Sequence, residues 1–141
     1  MTESLEIYGF KAIRNAGIDG VEVLSGTTSA AFGDGYAVFR VGSLLLKITR
    51  DKGQAFLDLG SVHSPNQFYQ FDDVEIAMGW RSIQSVLSKL EPEALETVLA
   101  RTREHLGELE TLMSKSEERF AQGLFERAAR ERGSAFAQSL K

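Results

Sequence analysis

The sequence contains no cysteine. That excludes a disulfide framework, thiolate metal sites and a cysteine nucleophile, and it is compatible with a reducing compartment. Histidine is nearly as scarce, with two residues in 141, so imidazole chemistry has only His63 and His105 to draw on. No apolar run approaches the length of a membrane span, and the opening residues 1–10 mix acids with apolar residues, unlike a secretory leader. A cytoplasmic protein that does not enter membranes is expected. The basic excess of a nucleic-acid binder is also missing: the net charge is −4, so no nucleic-acid partner is expected. No Walker-type glycine loop with its lysine occurs. Gly26-Thr27-Thr28-Ser29 and Gly33-Asp34-Gly35 lack the spacing, so no nucleotide or other cofactor is expected.

What remains is ordinary globular composition, 43% hydrophobic and 26% charged, enough to build a core in a chain of this length. Acidic excess gathers in residues 1–34 and 91–119, while residues 120–141 lean basic. An acidic surface either keeps the protein soluble or steers a basic partner toward it.

Apolar residues at helical spacing predict a helix over 4–16, with Gly17 as its left-handed terminator and Gly9 as a discordant residue inside it. Residues 18–24 read as a strand and 25–34 as a small-residue loop. Then comes a meander: Tyr36–Val41, the tight turn Gly42-Ser43, Leu44–Arg50, the turn Asp51-Lys52-Gly53, and Gln54–Leu59. Leu44, Leu46 and Ile48 share one strand face, opposite Lys47 and Thr49. A loop over 60–66 leads to a short aromatic strand, Gln67–Phe71. Asp72 reads as an N-cap, with Glu75 completing a capping box for a helix that stops near Gly79.

Beyond residue 80 the period becomes helical throughout. A stripe runs over 81–90, Glu91-Pro92 interrupts it, and Leu95, Leu99, Leu106, Leu109, Met113 and Phe120 continue on one face. Gly123 and Gly133 read as candidate breaks. The expected fold is one α+β domain over 1–141. Its antiparallel meander sheet of about four strands (sheet core 18–71) packs on helices, with long helices in 72–138.

Several groups are candidates for chemistry. His63 beside Ser61 and Ser64 has the bare skeleton of an acyl-transfer pair, but no orienting group or oxyanion hole is in view. His105 with Glu108 gives two ligands on one helix face, too few for a metal. Asp72, Asp73 and Asp58 form an acidic group for which capping is the simpler role. Arg40, Lys47, Arg50 and Lys52 sit on hairpins where exposed charge is normal. Phe68, Tyr69, Phe71 and Trp80 read as a seam between sheet and helix, with Phe68 and Tyr69 as candidate surface anchors.

The run Leu46-Lys47-Ile48-Thr49-Arg50-Asp51-Lys52-Gly53-Gln54-Ala55-Phe56-Leu57-Asp58-Leu59, followed by Phe68-Tyr69-Gln70-Phe71-Asp72-Asp73-Val74, resembles small bacterial proteins of immunity or uncharacterised type. Some of these stand beside toxins of interbacterial competition. The resemblance implies a non-enzymatic inhibitor that masks a basic toxin domain. Candidate contacts are Phe68, Tyr69 and the turn around Arg50, Asp51 and Lys52, with Glu104 and Glu108 as steering acids. Two other readings stand beside it. One is a scaffold that forms a homodimer through the 95–120 stripe. The other is a small enzyme with a pocket around Asp72, His63 and Arg50.

Overall fold

A computed structural model describes residues 3–28 and 34–141. The fold is α+β. Helix α1 (Leu5–Asn15) precedes five strands, β1 (Glu22–Thr28), β2 (Gly35–Val41), β3 (Leu44–Asp51), β4 (Gln54–Ser61) and β5 (Ser64–Gln70). Five helices follow: α2 (Phe71–Ala77), α3 (Ile83–Leu87), α4 (Leu95–Glu104), α5 (Leu106–Leu112) and α6 (Glu118–Ser139). The strands pair antiparallel in chain order.

Tight turns set this order. Gly42-Ser43, Lys52-Gly53 and Val62-His63 each leave two residues between paired strand ends. At the middle turn both residues are left-handed, Lys52 at φ 52° and Gly53 at φ 82°, the backbone of a type I′ hairpin. The Lys52 N–H donates to Asp34 Oδ1 at 3.0 Å. The turn is therefore one residue tighter than Asp51-Lys52-Gly53 suggested, because Asp51 pairs with Gln54.

Alternation along the strands builds the core. Ala37, Phe39, Val41, Leu44, Leu46, Ile48, Leu57 and Leu59 belong to one buried cluster with Leu5 and Ile13 of α1, Leu95 and Leu99 of α4, and Phe125 of α6. Gly9, discordant in the helical pattern, has a reason. A Cβ there would stand 2.5 Å from Phe39 Cζ, so only glycine lets α1 lie this close to β2. The left-handed Gly17 closes α1 as expected. The Ile18 N–H bonds Ile13 O and the Gly17 N–H bonds Arg14 O, a Schellman pair. Gly79 ends α2 in the same way, with Trp80 N–H on Glu75 O and Gly79 N–H on Ile76 O.

The expected meander sheet of about four strands has five, and four other expectations are corrected. The first strand is shifted from 18–24 to Glu22–Thr28, because Ile18 is fully buried in the core while Ser25 to Thr28, taken for loop, ladder onto β2. The rest of that loop, residues 29–33, lies outside the described residues, and with it Ser29 and Gly33 of the two glycine stretches. Asp72 is not an N-cap: Phe71 turns inward to the core, so α2 starts two residues earlier, with Gln70 at the cap and no side-chain capping bond. The expected strand through Phe71 therefore ends at Gln70. Finally, α6 runs through Gly123 and Gly133; both are exposed, so nothing forces a break there.

Candidate functional site

Most core side chains of the sheet point to the helices; Leu45, 1% exposed, lies on the opposite face. By the alternation of the paired strands, Tyr36, Val38, Lys47, Thr49, Phe56, Asp58 and Phe68 point the other way. Tyr36 and Phe56 are exposed (38% and 42%). Phe68 covers Gly60, where a Cβ would meet its ring at 3.1 Å. The Lys47 ammonium lies 5.1 Å from the Tyr36 ring centre and 5.2 Å from that of Phe68, within cation–π range of both. Asp58, directly opposite Lys47, has its carboxyl pushed up by burial; Lys47 opposes this and Asp73 adds to it.

A cleft opens at the end of this face. Strand β5 pairs with β4 only over Asp58 to Ser61. The other half of β4, Gln54 to Leu57, has β3 on one side and no strand on the other. There a cleft of about 650 Å³ is lined by Ala55, Phe56 and Leu57 and by Val86, Leu90 and Pro92 of the segment around α3. Leu90 is fully exposed. A second cavity of about 530 Å³ shares Ala55, Glu91, Pro92 and Glu93 with it and adds Tyr8 and Glu96. Burial raises the Tyr8 hydroxyl pKa, and the Glu96 charge raises it further.

The far wall is held by ion pairs. Arg101 forks onto Glu75 at 2.9 and 3.0 Å and onto Glu93 at 2.5 and 2.9 Å. Arg81 also donates to Glu93 at 2.5 Å. Glu75 is 2% exposed, so its charge depends on this fork. The Arg101 hydrogen bond, helped by Arg81, holds the Glu93 carboxyl down at about 2 against the opposing effect of its burial. Lys89 bonds Asp72 at 2.9 and 3.0 Å. Arg132 bonds the buried Asp73 at 2.6 and 3.2 Å, which raises the Arg132 pKa. The network ties α2, α4, α6 and the 88–93 segment together around the cleft.

The sequence-predicted contacts do not share a surface. Phe68 lies on the open sheet face, but Tyr69, the next residue along the strand, faces the helices and packs its ring 5.3 Å from Phe125. Arg50 also turns to the helix side, 4.6 Å over the Tyr8 ring. Asp51 and Lys52 are exposed at the far hairpin. Glu104 and Glu108 are exposed on α4 and α5, where Glu108 reaches His105 at 3.4 Å.

The pocket imagined around Asp72, His63 and Arg50 does not assemble. Arg50 on β3 lies opposite Ala55 near the start of β4, and His63 lies in the turn beyond its end, about 26 Å away at strand rise; Asp72 is engaged by Lys89. Ser61 is buried; its hydroxyl donates to Met113 O at 2.6 Å and accepts the His63 N–H at 3.1 Å, a structural clamp. The His105 ring stacks on Trp80 at 3.6 Å. Among the described residues no three His, Asp or Glu side chains gather in metal-binding geometry, and no helix is long and apolar enough to cross a membrane. The 95–120 stripe is largely consumed within the chain, since Leu95, Leu99, Leu109 and Met113 are core residues.

The cleft itself was missed. Its cause is the early exit of β5 at Gln70, which leaves half of β4 uncovered, and no local pattern reports where a ladder ends. In the sequence Arg101 and Glu93 are simply two charges within residues 91–119, with no local signal that they pair. No known protein family, curated protein or solved structure matches this chain.

Proposed function

We propose that this chain is a non-enzymatic protein-binding protein. In the form its resemblance suggests, it is an immunity protein that neutralises a toxin with a basic surface. One observation supports the reading: the sheet face opposite the Leu44–Leu46–Ile48 core offers a preformed group in which Lys47 lies over both Tyr36 and Phe68, with Tyr36 and Phe56 exposed on the same face. Aromatic side chains at a preordered surface carry a large share of interface energy, and ordering them beforehand lowers the entropy cost of association. The overall acidity favours a cationic partner.

The test is co-expression with a toxin encoded beside the gene. Growth should be protected, and the two chains should elute as one complex. Replacing Tyr36 and Lys47 together by alanine should weaken the complex at least tenfold without lowering the melting temperature by more than a few degrees. A wild-type chain that neither protects nor forms a complex refutes the reading.

Self-association has one observation in its favour. Phe120, Phe136 and Leu140 are exposed on α6, so any dimer contact moves there from the buried stripe. Light scattering at high concentration, before and after Phe136→Glu, decides this.

A further inference from the structure

One buried-side charge of the cleft has no partner. Most of the charged lining is committed. Asp72 is bonded by Lys89, Glu93 by Arg101 and Arg81, and Arg132 is taken up by Asp73. Asp58 also lines the cleft and is half-buried. Among the described residues, no hydrogen bond or ion pair reaches its carboxylate. Lys47 is its natural partner, being directly opposite on β3, where cross-strand charges of opposite sign normally meet. The Lys47 ammonium instead lies over the rings of Tyr36 and Phe68, 5.1 and 5.2 Å from their centres. Asp58 therefore carries a desolvation cost that no donor offsets, and burial accordingly pushes its pKa up against the field of Lys47.

Around this carboxylate the cleft is apolar. Phe56, Leu57, Phe71, Val86 and Leu90 line it, and Phe56 and Leu90 are exposed. A volume of about 650 Å³ is that of a small-molecule site, which combines an apolar lining with a few placed polar groups. The ion pairs fix the far wall before any ligand arrives, which lowers the cost of binding. Besides Asp58, the other lining charge without an ion pair among the described residues is the exposed Glu91. Both uncompensated charges are negative, so the cleft is complementary to a cation.

We propose that this cleft binds a small organic cation, a primary ammonium on an apolar body, with the ammonium on Asp58 and the carbons against Phe56, Val86 and Leu90. The ammonium supplies the donors that Asp58 lacks, and a charge-assisted hydrogen bond is among the stronger polar contacts. An anion meets repulsion at the same place, and a neutral molecule gains only the apolar contacts. The inference goes beyond the protein-binding reading and does not require it.

The probe is 4-phenylbutylamine, with 4-phenylbutanol and 4-phenylbutyrate as neutral and anionic copies of similar shape. In a titration followed by amide NMR, the amine should shift Leu57, Asp58, Val86 and Leu90. It should bind roughly tenfold more tightly than either copy. Asp58→Asn should abolish that preference, leaving the amine no better than the alcohol. The same substitution should not lower the melting temperature, because it removes a charge that has no partner. Leu90→Ser, at a fully exposed residue, should weaken amine and alcohol alike by roughly threefold.

Equal binding of the three probes to the wild-type chain, or no binding of the amine up to millimolar concentration, overturns the proposal. So does an undiminished preference for the amine in Asp58→Asn. Shifts confined to Tyr36 and Phe68 place the amine on the aromatic face and overturn it too. A melting temperature lowered by more than a few degrees in Asp58→Asn assigns the carboxylate to Lys47, with the same consequence. Tighter binding of N-acetyl-lysine methylamide than of 4-phenylbutylamine assigns Asp58 to a lysine of a partner protein and overturns the small-molecule site.

Discussion

Glu93→Gln tests the wall of the cleft most directly. Gln keeps the size of Glu93 but removes the charge that accepts from Arg101 at 2.5 Å and from Arg81 at 2.5 Å. A carboxyl held from 4.5 down to about 2 corresponds to about 3 kcal/mol at most. The side chain is 21% exposed, and solvent screening reduces that figure, so a loss of about 2 kcal/mol is expected at pH 7. The pH dependence gives the sign. The folded pKa lies below the unfolded one, so the stabilisation is complete above about pH 4.5 and disappears as the pH falls through about 2. Urea unfolding of both proteins at pH 7, 4.5 and 2.5 reads this out. The gap should be full at the first two and should shrink at the third, since glutamine does not titrate. A gap under about 0.5 kcal/mol at pH 7, or one that is the same at every pH, refutes the assignment of Glu93 as the charge that holds this wall.

Three further outcomes follow from the packing. Gly9→Ala should destabilise by about 1–3 kcal/mol in chemical denaturation, because the new methyl meets Phe39; helix propensity alone predicts a gain of about 1 kcal/mol. Leu109→Lys should unfold the chain or lower its stability by more than about 3 kcal/mol, with no change of oligomeric state by light scattering before unfolding, because Leu109 is fully buried in the core. Asp72→Asn should cost less than about 1 kcal/mol in thermal unfolding, since Asp72 caps nothing and its Lys89 bond is partly exposed.

The hairpins were legible because their information is local. Gly42, Gly53 and the alternation of Leu44, Leu46 and Ile48 determine turn and face within a few residues, and the five-strand ladder follows in chain order. The Schellman endings at Gly17 and Gly79 were legible for the same reason. Trp80 and His105, 25 positions apart, were not: nothing near either residue announces a ring stack. The candidate contacts failed as a set because neighbours on a strand face opposite ways. Phe68 and Tyr69 were read as a joint anchor, yet the pleat sends one to the open face and the other to Phe125.

The amino-acid order alone settled the α+β class, the meander and the helix stops at Gly17 and Gly79, since each depends on backbone preferences and periods acting over a turn or two. Tertiary structure alone decided which face stays bare and where β5 leaves β4. It also decided which carboxylates lie buried beside Arg101 and Arg132. Those outcomes depend on segments brought together across the chain, as with Glu75 and Arg101 or Asp73 and Arg132. A buried charge is tolerated only where the whole fold delivers its partner.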